Sequence, residues 1–214
     1  GPFCFEGVGS RWIELEIHRD VRDPGRRILV LNDRTEIHVL RQALNEQASF
    51  HDLVGKSYAM LRTYQLVRDV AQVDTTVLIE GETGTGKELI ARAIHSSSSR
   101  KNKPFIAANC AGLTDSILTS QLFGHKRGAF TGAIQDQQGL FEAAEGVTLF
   151  LDVIGDISPQ VQTALLRVLQ EKEITRLGEA KPRAVNVRVL AATHHNLSED
   201  VLRGSFRADL LYRI

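Results

Sequence analysis

Seven consecutive residues, Gly81-Glu82-Thr83-Gly84-Thr85-Gly86-Lys87, set three glycines ahead of a lysine in the spacing GxxxxGK. Glycine lets the backbone curl until successive N–H groups point inward, which makes a concave site for an anion. A lysine at the end of that curl can reach terminal phosphate oxygens, and a helix starting there adds its dipole. The chemistry implied is the binding of a nucleotide's phosphates. The general motif continues with Ser or Thr, whose hydroxyl serves magnesium; here the next residue is Glu88. A glycine-rich turn with a surface lysine is the bland alternative. The flanks argue against it, because a β-branched run over 75–80 precedes the glycines and helical spacing follows from Lys87.

That loop needs a sheet behind it, and the chain supplies one. Short apolar runs over 105–108, 148–151 and 187–192 read as buried strands. Met60, Leu61, Tyr64, Val67 and Val70 form a helical stripe, and Val161, Ala164, Leu165, Val168 and Leu169 form another that Pro159 helps to start. Strands alternating with helices predict an α/β fold, a parallel sheet covered by helices on both faces. Residues 1–50 have a different texture. Ile13, Leu15 and Ile17 alternate with polar residues, Asp23-Pro24-Gly25 is a turn signal, and residues 27–31 read as a returning strand. A lone hairpin is marginal in water, so this one is expected to be the tail of a larger upstream domain. Ile37, Leu40, Leu44 and Ala48 then predict an amphipathic linker helix over 36–48, either a signalling element or a plain connector. The division expected is 1–50 and 51–214.

Composition narrows the class. In 214 residues, 26 Lys and Arg balance 26 Asp and Glu, so the chain shows no basic excess for holding nucleic acid by bulk charge. Hydrophobic residues make up 43% and charged residues 24%, which argues against wholesale disorder. Cys4 and Cys110 lie far apart, without metal-ligand spacing, and fit a reducing compartment. No apolar run approaches the ~20 residues of a membrane span. No secretory signal is visible, and a cytoplasmic protein is expected.

The run GETGTGKELIARAIH, with glutamate after the lysine, and the segment Gly128-Ala129-Phe130-Thr131-Gly132-Ala133 together carry a family resemblance. The second reads GAFTGA, and two glycines bracket an aromatic residue with no periodic neighbours to bury it. From about Leu53 to Ile214 the chain resembles the AAA+ ATPases that activate sigma-54 RNA polymerase, the bacterial enhancer-binding proteins. The resemblance implies ATP and Mg2+ as cofactors, with the phosphate loop from Gly81 to Glu88 as the nucleotide cradle. It implies that Val54 and Gly55 lie near the adenine and that Asp152, closing an apolar strand, serves magnesium. Asn109 would communicate between the catalytic acid and the GAFTGA loop, and Thr193 and His194 would stand at the sensor position. Arg207 and Arg213 would reach a neighbouring subunit's γ-phosphate, since an arginine fork stays charged and pairs bidentately with phosphate oxygens. Residues 128–133 would touch sigma-54 with Phe130 and Thr131 at the loop tip. The assembly implied is a ring, expected to be a hexamer, that couples ATP hydrolysis to remodelling of the closed promoter complex.

The chain departs from the family at one position. The second acidic motif reads GTLFLDE in the family, and here Asp152 is followed by Val153. Valine can neither accept a proton nor orient water, and loss of a positioned base costs on the order of 10²–10⁴ in rate. Asp156 follows three positions later, with nothing in the sequence to bring it to the same water. A substitution that traps the ATP-bound state and a member with weak hydrolysis both fit, and the preservation of every other motif favours the first. The family's helical lid, second sensor arginine and C-terminal helix-turn-helix are expected to lie beyond Ile214, with enhancer DNA bound only through that last domain. The rival readings are a nucleotide-gated sigma-binding switch without turnover and, more remotely, a P-loop kinase acting on a small molecule. The kinase reading has no use for GAFTGA or for paired arginines acting in trans.

Overall fold

The computed structural model describes residues 2–5, 11–19, 25, 27–33, 35 and 49–214 apart from 145. They fall into two compact units, 1–61 and 62–214. The first unit carries β1 (Pro2–Phe5), β2 (Arg11–Arg19) and β3 (Arg27–Asp33) in one antiparallel sheet, in that order. The expected hairpin is thus joined by a third strand, β1, which the alternation in residues 11–19 gave no sign of. Ile17, Leu29 and Leu31 remain exposed. A short antiparallel pair follows, β4 (Ser49–Phe50) with β5 (Leu53–Val54). The expected linker helix over 36–48 and most of the 23–25 turn lie outside the described residues.

Helix α1 (Tyr58–Ala71) leads into the second unit. It buries Tyr64, Val67 and Ala71, whereas Leu61 of the expected stripe is exposed because the buried face runs one position round from it. There follow β6 (Val77–Glu80), α2 (Lys87–Ser96), β7 (Phe105–Asn109), α3 (Asp115–Phe123), β8 (Gly124–His125) and β9 (Gln137–Gln138). Then come α4 (Leu140–Ala143), β10 (Thr148–Asp152), α5 (Pro159–Glu171), β11 (Glu173–Ile174), β12 (Arg183–Ala184), β13 (Arg188–Thr193), α6 (Leu197–Arg203) and α7 (Ala208–Leu211).

The four apolar runs pair in parallel in the order β6-β13-β10-β7. Side chains alternate across that sheet. Leu149, Leu151, Val189 and Ala191 join one core with Leu122 and Phe123 of α3, Phe141 of α4, Val161 and Leu165 of α5 and Leu210 of α7. Each Leu, Val or Phe side chain among them taken fully out of water contributes roughly 1.5–3 kcal/mol. The opposite face presents Thr148 and Phe150 to α2, where His95 Nδ1 lies 2.9 Å from Thr148 Oγ1 and Phe105 stacks 6.0 Å from Phe150. Helices therefore cover both faces, as the patterning predicts. Helix α5 starts where Ser158 caps it, its Oγ accepting from Val161 N, with Pro159 in the first turn. At the opposite end of the sheet, the buried Arg188 of β13 donates 2.7 Å to Val70 O and so satisfies a carbonyl at the end of α1.

Candidate functional site

The parallel register brings the chemistry-bearing residues to one edge. Glu80, the last residue before the phosphate loop, is the partner of Thr193, and Asp152 is the partner of Asn109. All four strands point the same way, so the loop, Thr193, Asp152 and Asn109 stand together at their carboxyl ends. Open α/β sheets bind ligands there.

Gly81 N donates 3.2 Å to Thr193 O, which ties the start of the loop to β13. Gly86 caps α2 at φ 88°, a left-handed geometry that a side chain would oppose, and this turn aims the first amides of α2 into the loop. Lys87 Nζ donates 2.8 Å to both Gly81 O and Glu82 O, arching over the curl. Phosphate oxygens can replace those two carbonyls without moving the lysine backbone. Glu88 points away, its carboxylate pairing with Arg92 at 2.7 Å on the exposed side of α2.

On the acidic side, Asp152 Oδ1 accepts from Val153 N at 3.0 Å, and its backbone oxygen accepts from Cys110 N. Burial, with the charges of Asp152 and Asp156 nearby, pushes the Cys110 thiol up to about 12, so it stays protonated and inert. Val153 stands at φ 58°, ψ 47°, in the left-handed region where a β-branched residue is rare. A single 3-10 turn, Ile154–Asp156, follows. Gly155 within it packs so close that a Cβ would sit 2.9 Å from Thr193 Oγ1 and 2.8 Å from His195 Cγ. The Asp152 carboxylate beside a phosphate cradle fits magnesium, which keeps several waters and takes one or two protein carboxylates plus phosphate oxygens.

Thr193 is fully buried and accepts from His195 N, while His194 is exposed and leans its ring edge-on to His195 at 4.5 Å. His195, not singled out by the sequence, lies between two carboxylates: Nε2 is 2.9 Å from Asp156 Oδ1 and Nδ1 is 2.9 Å from Asp200 Oδ2. Asp156 is thereby engaged by His195. Arg207 folds onto Asp209 at 2.7 Å, and Arg213 is exposed. Val54 and Gly55 belong to the other compact unit; Val54 is exposed, and Gly55 sits against Met60.

The loop at 128–133 turns on Gly128 and Gly132, both at positive φ, and closes with Gly128 N donating 2.8 Å to Ala133 O. Thr131 is exposed. Phe130 is not solitary: its ring meets that of buried His125 edge-on at 5.0 Å, and His125 Nδ1 is 2.6 Å from Ser120 Oγ. Lys126 and the Arg127 amide both bind Asp136 across the base of the loop. Lys126 N donates to Leu177 O, and Leu177 N donates to Gly124 O, so this loop and the one between β11 and β12 share a backbone seam.

The profile of the sigma-54 interaction domain matches residues 53–214. The chain belongs to this family. It is 53% identical over 175 residues to a Nif-specific regulatory protein of Enterobacter agglomerans, covering 82% of this chain and 34% of that protein. It is 53% identical over 162 residues to the transcriptional regulatory protein GlrR of Escherichia coli strain K12, covering 76% of this chain and 36% of that protein. Among solved structures, NtrX of Brucella abortus in complex with ATP superposes with a TM-score of 0.69 at 35% identity, over 84% of this chain and 38% of that one. The chain thus spans about a third of the length of the regulators it matches. Its second unit has the AAA+ P-loop NTPase fold, and residues 53–214 are similar to the sigma-54 activator domain of transcriptional regulators. Among the described residues, no helix is long and apolar enough to cross a membrane.

Proposed function

We propose that this chain binds ATP with Mg2+ at the carboxyl edge of its parallel sheet and couples the nucleotide state to contact with sigma-54 through residues 128–133. One observation carries the reading: the phosphate loop, Asp152, Asn109 and Thr193 meet at one sheet edge. Lys87 and the loop amides hold the phosphates, and Asp152 holds the magnesium, which neutralises phosphate charge when bound. Thr193 and His194 respond to the γ-phosphate, and Asn109, paired with Asp152, relays that response from the start of the stretch leading to α3 and the loop. In a ring, a hexamer in this reading, Arg207 and Arg213 act on the neighbour's γ-phosphate, which requires Arg207 to leave Asp209.

In the full-length regulator this module hydrolyses ATP and remodels the sigma-54 RNA polymerase closed complex in the cytoplasm. Residues 1–50 are then the tail of a sensory domain plus linker, and enhancer DNA is bound by a domain outside this chain. Val153 favours a second reading, a switch that loads ATP and grips sigma-54 without turnover, because neither it nor the engaged Asp156 offers a free base.

The test is capture of sigma-54 by the chain loaded with ATP or ADP, set beside Thr131→Ala. Capture should depend on ATP and be lost in the variant, while nucleotide affinity stays the same. Equal capture in both nucleotide states, or by both proteins, refutes the loop's role.

A further inference from the structure

Arg207 is remote in sequence from the phosphate loop, yet the segment that carries it is held from the nucleotide side of its own subunit. Two hydrogen-bonded lines do this. The first runs through Gln162, a fully buried amide in the middle of the apolar stripe of α5. Its Nε2 donates 2.9 Å to Ile157 O, directly after the 3-10 turn that follows Asp152 and Val153, and 2.9 Å to Ser205 O. Its Oε1 accepts 2.9 Å from Arg207 N. A buried amide is costly unless satisfied, and this one is satisfied entirely by backbone groups of these two segments.

The second line starts at Asp156 in the same turn. Asp156 binds His195, and His195 binds Asp200. The backbone oxygen of Asp200 accepts from Ser205 N at 3.0 Å and from Phe206 N at 3.2 Å. Both lines therefore begin within four residues of Asp152 or Val153 and end on residues 205–207. Gly155 keeps the turn pressed against Thr193 and His195, so a shift of the turn must be passed on.

We propose that Gln162 and His195 are positioning residues that hold the arginine offered to the neighbouring subunit by tying its segment to the subunit's own acidic turn. This rests on the reading that Arg207 acts in trans. A purely architectural role would weaken a subunit's own nucleotide site and its service to a neighbour alike. A positioning role separates the two.

The experiment mixes two kinds of full chain. Acceptors carry Arg207→Ala and Arg213→Ala with an intact phosphate loop; donors, in excess, carry Lys87→Ala and supply only the arginines. The readout is the acceptor's preference for a fluorescent ATP analogue over the matching ADP analogue. Intact donors should raise that preference ~10-fold, the scale of one charge-assisted hydrogen bond. Donors that also carry Gln162→Glu, which keeps an acceptor for Arg207 N but cannot make both donations, should forfeit most of the gain. So should donors with His195→Ala, a partly exposed site whose truncation leaves the core intact. With Lys87 restored, each variant's own ATP affinity in dilute protein should match the parent within ~2-fold, well under the effect of one lost charge-assisted hydrogen bond. If donors carrying Arg207→Ala serve as well as intact ones, the trans reading itself fails. If they do not, but the Gln162→Glu and His195→Ala donors serve as well as intact ones, the positioning proposal is overturned. Failure of only one of these two donors retains that line and removes the other. Equal losses in a variant's own site and in its service to the neighbour would also overturn it.

Discussion

Val153 N donates 3.0 Å to Oδ1 of Asp152, the residue before it, and does so from a left-handed backbone. The carboxylate expected to hold magnesium is thus braced by a residue in a conformation that valine disfavours. Left-handed geometry costs an L-residue roughly 1–2 kcal/mol, and branching at Cβ adds to that. Asparagine tolerates it. Val153→Asn should therefore stabilise the chain by about 1 kcal/mol in urea unfolding, with an unchanged m-value. An unchanged or lower midpoint would mean that the turn is not strained.

The proposed reading also puts the limit on turnover at this position. Val153→Glu puts a carboxylate beside Asp152, where an attacking water would need one, and glutamate carries no branch at Cβ to oppose the backbone. Phosphate release by the full-length regulator should rise at least ~100-fold, the lower end of general-base effects. ATP affinity should change little. Rates within a factor of about three would show that position 153 does not limit catalysis.

Lys87 bridges Gly81 O and Glu82 O and contributes nothing to the apolar core. Lys87→Ala should weaken ATP binding at least ~10-fold in a calorimetric titration, by loss of a charge-assisted contact. The far-ultraviolet circular dichroism should be unchanged. Undiminished affinity would refute the phosphate-loop assignment.

His95 gives the fold a pH dependence. Burial lowers its pKa below the ordinary 6.5, with the charges of Arg188 and Arg92 acting the same way against a hydrogen bond to the Lys103 backbone. The native ring stays neutral while the unfolded ring takes up a proton near pH 6.5. Its contribution to stability is therefore whole above that pH and falls as pH drops towards the native pKa, by at most about 1.4 kcal/mol per pH unit. His95→Gln should be less stable at pH 7.5 but lose less between pH 7.5 and 5.5 than the parent, as measured by urea unfolding. Parallel losses would place the acid sensitivity elsewhere.

Sequence alone was enough for whatever depends on neighbours along the chain. The phosphate loop is legible because its glycines, its lysine and the flanking strand and helix are contiguous. The four buried strands are legible because a β-branched or apolar run of that length has few other uses, and they lie within two residues of where the pattern puts them. The placement of Asp152 follows from its position at a strand end. Tertiary structure decided the rest. Gln162 reads as a polar interruption of an apolar helix face, and only packing shows that its partners are Ser205 and Arg207, 43 and 45 residues away. His195 follows the sensor position in sequence, but its two carboxylates come from different segments and meet only when the 3-10 turn folds under β13. Phe130 finds a ring to pack on because α3 turns the chain back at Gly124. Backbone strain at Val153 is invisible in composition, since φ there is imposed by the turn that Gly155 and Thr193 lock. Local chemistry is written in spacing; the coupling between sites depends on which distant segments the sheet brings into contact.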